Sequence, residues 1–169
     1  NGLILDVRNN GGGNLTTAEK LAERFTNEKK LIGYMSYKTG PGHNEFSTPE
    51  AVYLEPPMDR VRWQKHTVVL TNRRSYSATN DFVNRMKQLD RVTVIGDKTG
   101  GGSGLPFSSE LPNGWSVRFS ASPMYDPDMK HLEFGIEPDK KVDITSEDYN
   151  KGIDTIIEAA REYLHNHKQ

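Results

Sequence analysis

Three short apolar runs, Leu3–Val7, Thr67–Leu70 and Val92–Ile95, each end in a polar or glycine-rich loop, and two of those loops lead into an amphipathic helix. This alternation constrains the fold more than any other feature of the chain. A strand followed by a helix that carries one apolar face, repeated, builds an α/β layer with the loops gathered at one edge. Ala18, Leu21, Ala22 and Phe25 define a first helix, expected over 17–26, and Thr16 with Glu19 has the form of a capping box. Ala78, Phe82, Met86 and Leu89 define a second helix over 78–89. A third is expected over 147–166, where Ile153, Ile156, Ile157, Ala160 and Leu164 share a face. Pro112-Asn113-Gly114 separates Phe107–Leu111 from the alternating Trp115, Val117, Phe119 and Ala121, a hairpin signal. The stretch from Thr39 to Gln64 is rich in Gly, Pro and polar residues and reads as a surface excursion.

Composition narrows the function classes. Lys and Arg number 22 against 23 Asp and Glu, a net charge of -1, so no global field draws in nucleic acid or acidic lipid, and no nucleic-acid partner is expected. The absence of cysteine removes disulfides, thiolate metal sites and a cysteine nucleophile. No apolar stretch approaches the ~18 residues of a membrane span. His43, His66, His131, His165 and His167 have no zinc-binding spacing, and no metal or other cofactor is expected. His165 and His167 near the polar C-terminus are expected to be solvated, while His43 and His131 are weak candidates for a general base. The chain opens at Asn1 without an initiator Met, and it is expected to be a single domain, 1–169, cut from a longer protein.

In open α/β sheets ligands bind beyond the carboxyl ends of the strands, so the loops 8–14, 72–77 and 96–104 are expected to meet at one site. Ser77 lies where a strand has ended and a helix begins. There its hydroxyl could act as a nucleophile, with backbone N–H groups at the helix start stabilising an oxyanion. Serine is also a preferred N-cap residue, and position alone leaves both roles open. Gly11, Gly12 and Gly13 could present successive amides to an anion, or form a plain turn. Neither glycine run has the spacing of a dinucleotide fingerprint or a P-loop, which makes nucleotide binding a weak reading.

Four segments in order carry a family resemblance: Leu5-Asp6-Val7-Arg8-Asn9-Asn10-Gly11-Gly12-Gly13, Leu70-Thr71-Asn72-Arg73-Arg74-Ser75-Tyr76-Ser77-Ala78, Ile95-Gly96-Asp97-Lys98-Thr99-Gly100-Gly101-Gly102 and Gly135-Ile136-Glu137-Pro138-Asp139. Over roughly residues 2–145 the chain resembles the tail-specific, or C-terminal processing, serine peptidases. That resemblance implies a crotonase-like β/α core, of which this chain would be the C-terminal part, with an upstream segment and a PDZ domain lying before it. It implies a Ser77 nucleophile acting on protein or peptide substrates, an oxyanion hole of the Gly12 and Ala78 amides, an extracytoplasmic location in the bacterial periplasm or cell envelope, and leaves oligomerisation open. The Ser/Lys members carry their base lysine 25 residues after the serine, where this chain has Gly102. Lys98 is four residues short of that position and is expected to face solvent or a carboxylate. The chain is therefore more similar to the lysine-less branch of the tricorn core and the interphotoreceptor retinoid-binding proteins. By that likeness the base would be a histidine upstream of Asn1, with Glu133, or alternatively Glu137, as the assisting acid. The retinoid-binding relatives imply the competing expectation, a non-catalytic binding module on the same fold.

Overall fold

The computed structural model describes residues 2–59 and 61–167. Strands β1 (Leu3–Asp6), β4 (Thr67–Thr71), β5 (Val92–Gly96) and β9 (Lys140–Lys141) form one parallel sheet in the order β1-β4-β5-β9. The three expected strands thus share a sheet, with Leu5 opposite Val69 and Val69 opposite Val94. Helices cover both faces. Ile4, Val68, Leu70 and Ile95 pack with Ile156 and Ala160 of α4 (Thr155–Asn166). Leu5, Val69 and Val94, one residue out of phase, pack with Phe82, Val83 and Met86 of α2 (Ala78–Lys87) and with Ala18 and Ala22 of α1 (Leu15–Ala22). All five residues of β4 are buried because both of its faces are covered, which is why it reads as an apolar run without alternation.

A second, antiparallel sheet takes the order β3-β2-β8, from β2 (Lys30–Met35), β3 (Glu50–Leu54) and β8 (Met124–Tyr125). Its β3 falls inside the stretch expected to be a surface excursion. There Leu54 is fully buried and Val52 partly so, an alternation too short to stand out between flanking prolines. The hairpin of β6 (Phe107–Glu110) and β7 (Ser116–Phe119) forms as expected, with Phe107 opposite Phe119.

The helix boundaries differ from expectation: α1 gives way to a 3-10 turn, Glu23–Phe25, and α2 ends at Lys87. Asn14, not Thr16, caps α1, its side chain accepting the Thr17 amide at 3.0 Å. Glu19 turns instead toward the Arg85 guanidinium, 3.5 Å away. The long C-terminal helix is two helices, α3 (Ser146–Asn150) and α4. Between them, the Ile153 amide bonds the Asp148 carbonyl and the Gly152 amide bonds that of Tyr149, with Gly152 at φ +69°, which is a Schellman stop. Asp154 then caps α4 through the Ile156 and Ile157 amides and is itself gripped by Arg8 at 2.8 Å. The apolar periodicity ran across the break because it counted Ile153, which is exposed in the link before α4 and outside the core that Ile156 and Ala160 join.

Candidate active site

The three loops meet, stitched together by hydrogen bonds to and between their backbones. The Ser75 hydroxyl donates to the Val7 carbonyl (2.8 Å), the Tyr76 amide to Asn10 (3.0 Å), the Ser77 amide to Gly101 (2.8 Å) and the Gly100 amide to Ser75 (2.9 Å). Ser77 is thereby held from both sides in a conformation rare for a residue with a side chain, φ +58° and ψ −127°. Such strain costs about 1–3 kcal/mol and persists only where surrounding contacts over-determine it. Its carbonyl accepts from Asp81 and opens α2, but its hydroxyl makes no cap hydrogen bond. The capping alternative therefore falls: the backbone of Ser77 occupies the cap position and its hydroxyl is left for the cavity.

That cavity, about 650 Å³, is bordered by the Gly11–Gly13 loop, Tyr76, Ser77, Gly102, Arg118 and Glu133. Gly12 fits only as glycine. A Cβ there would lie 2.6 Å from the Ser77 Cβ and 3.0 Å from the Ala78 nitrogen. The Gly12 amide donates to the Asn10 side-chain oxygen (3.0 Å), which also accepts from the Thr79 hydroxyl (2.8 Å). Among the described residues the Ala78 amide has no acceptor, as expected of a first-turn helix N–H.

Glu133 sits on a short 3-10 turn, Leu132–Phe134, and its carboxylate reaches the Ser120 hydroxyl at 3.4 Å. Its backbone carbonyl accepts from the Gly102 amide (3.1 Å), which ties the turn to the glycine-rich loop. Glu137 is placed elsewhere: it is exposed and paired with Lys98 at 3.0 Å, and neither borders the Ser77 cavity. Lys98 thus faces a carboxylate, as its sequence position implied. None of the histidines borders the cavity either. The His131 Nδ1 accepts the Glu133 amide (3.1 Å), while His165 and His167 are exposed, as expected, the His167 ring stacking on Tyr163 with centroids 4.0 Å apart.

Several site residues escaped sequence reasoning. Asn80 is fully buried in the first turn of α2; its Nδ2 donates to the Ser103 hydroxyl (2.8 Å) and the Leu132 carbonyl (3.1 Å), and its Oδ1 accepts from Thr99 (2.5 Å). Thr99 in turn accepts the Ile136 amide at 2.7 Å. One side chain so fastens the serine helix to both segments of the opposite wall. Beside it, burial pushes the Asp81 carboxyl up to about 6, opposed by the charge of Arg85 and a hydrogen bond with Ser103. Asn80 gave no signal, since it falls on the helix opposite Ala78, Phe82, Met86 and Leu89, where a polar residue is ordinarily solvated. Tyr76 and Arg118 gave none, since the cavity they border exists only after folding.

This fold and loop cluster match known proteins. Residues 1–142 match the model of Peptidase family S41, and the chain belongs to that family. It is 27% identical over 142 residues to the "Probable CtpA-like serine protease" of Staphylococcus saprophyticus, covering 83% of this chain and 27% of that protein. The chain therefore spans about a quarter of the length of the curated relatives it matches. A crystal structure of a candidate peptidase from Parabacteroides merdae superposes with a TM-score of 0.92 at 62% identity, over 96% of this chain and 51% of that one. The tricorn protease superposes with a TM-score of 0.59 at 25% identity, over 99% of this chain and 15% of that one.

Proposed function

We propose that this chain carries the nucleophile of a serine-type peptidase that hydrolyses peptide bonds in protein substrates through an acyl-enzyme on Ser77. The observation that carries the reading is the uncapped Ser77 hydroxyl on a positive-φ turn, pressed against Gly12 at the mouth of a cavity. In the reaction Ser77 Oγ bonds to the scissile carbonyl carbon while a general base takes the hydroxyl proton. The carbonyl oxygen becomes an oxyanion received by the Ala78 amide and by the Gly12 amide as it turns from Asn10. Asn10 remains satisfied by Thr79. The C–N bond then breaks with the proton passed to the leaving amine, and water hydrolyses the ester. An oxyanion-hole donor is worth about 2.7–4 kcal/mol to the transition state.

Glu133 is the assisting acid, and the base comes from a part of the protein outside the described residues, since among these neither a histidine nor a lysine borders the cavity. By family resemblance the protein works outside the cytoplasm, in the periplasm or cell envelope. Hydrolysis of an unfolded protein such as β-casein by the intact protein, lost in Ser77→Ala, is the expected result. Undiminished hydrolysis in Ser77→Ala would overturn the assignment.

A further inference from the structure

The ring of Tyr76 lies flat on the glycine-rich wall of the cavity. A Cβ on Gly102 would lie 2.1 Å from its Cζ and 2.5 Å from each Cε, and a Cβ on Gly100 would lie 3.0 Å from its Cδ2. The ring thus takes the space that any side chain at position 102 would need, and Gly102 at φ +77° resists a side chain on its own account. The residue is fixed by its backbone, through the Asn10 carbonyl and the bridge to Gly101, yet it is 46% exposed and adjacent to the nucleophile. Its hydroxyl has no partner among the described residues. An exposed aromatic ring whose backbone is already ordered binds at little further entropic cost, so it favours contact with an apolar or flat group. Pro106 and Phe119 border the same cavity and extend that apolar surface.

We propose that Tyr76 is a specificity-determining residue, an aromatic platform that receives a flat or apolar group next to the bond attacked by Ser77, and that Gly102 is glycine in order to seat it. The proposal rests on the peptidase reading. It names a contact that Ser77 chemistry alone does not require, so the two can fail separately.

The test compares two fluorophosphonates on the intact protein, one with a benzyl and one with a methyl group on phosphorus, by the rate of Ser77-dependent labelling. The parent is expected to prefer the benzyl probe. Tyr76→Ala should lower the benzyl rate about tenfold and leave the methyl rate within about twofold, while Tyr76→Phe keeps the preference. Gly102→Ala, by displacing the ring, should also erase the preference in the parent but change nothing further in the Tyr76→Ala background. The backbone strain at 102 is common to both arms of that cycle and cancels. Where Tyr76→Ala does not fold, Tyr76→Leu replaces it, with the same loss of preference expected. A preference unchanged in the alanine or leucine variant, or Gly102→Ala acting equally in both backgrounds, overturns the platform and leaves the nucleophile standing. No Ser77-dependent labelling of the parent by either probe defeats both readings.

Discussion

Gly12 and Ser77 are packed so closely that a single added methyl at residue 12 would stand 2.6 Å from the serine Cβ and 2.7 Å from the Tyr76 carbonyl oxygen. Both neighbours are pinned by hydrogen bonds, so neither can yield cheaply. Gly12→Ala is therefore expected to reduce Ser77 acylation by at least about a hundredfold and to cost about 1–3 kcal/mol of stability, read as a lower Tm. Gly11→Ala, with nothing within 4 Å of the new methyl, should change stability by less than about 0.5 kcal/mol.

Asn80 joins α2 to Thr99, Ser103 and Leu132. Its loss leaves buried polar partners unpaired, which costs about 1–3 kcal/mol. Asn80→Ala should lower Tm and, because Glu133 and Gly102 hang from the same wall, slow turnover as well. Denaturation midpoints and steady-state kinetics on the same preparation check both effects. Normal values of both would mean that the two walls are held by other contacts.

Asp81 gives a pH dependence of unusual sign. Its folded pKa lies above its unfolded one, so between about pH 4 and pH 6 the folded state binds the extra proton and stability falls as pH rises. The loss approaches about 3 kcal/mol across that window and is complete above it. Asp6 and Asp154 act oppositely: hydrogen bonds from Arg8 depress both, and their contribution disappears only as pH falls below the usual carboxylate range. Urea midpoints from pH 4 to 7 should decline in the parent and lose that slope in Asp81→Asn.

Lys98 pairs with Glu137 at 3.0 Å across a partly exposed surface, a contact worth no more than about 1 kcal/mol. Lys98→Ala is expected to retain most of the activity against β-casein. A loss as complete as that of Ser77→Ala, with the fold intact, would make Lys98 part of the chemistry.

The parallel sheet was legible because Leu3–Val7, Thr67–Leu70 and Val92–Ile95 are apolar runs without strict alternation, as strands of a sheet with helices on both faces need. The position of Ser77 was legible for the same reason, as the loop follows directly from β4. What stayed hidden depends on competition or on tertiary placement. Asn14 and Thr16 are both able to cap, and only the packing of α1 selects Asn14. Glu133 and Glu137 are equally acidic in sequence, and it is the 3-10 turn tied to Gly102 that puts one in the cavity and the other against Lys98. The Tyr76 ring is aimed by contacts with residues 24 and 26 positions away, Gly100 and Gly102, whose lack of side chains signalled only a loop.

The central claim is that Ser77 is the nucleophile, and the most direct measurement is the site of a covalent adduct. The intact protein treated with a fluorophosphonate, digested and analysed by peptide mass spectrometry, should carry one phosphonyl group on Ser77 and none after prior unfolding in urea. An adduct on another serine, or none on the folded protein, would contradict the account.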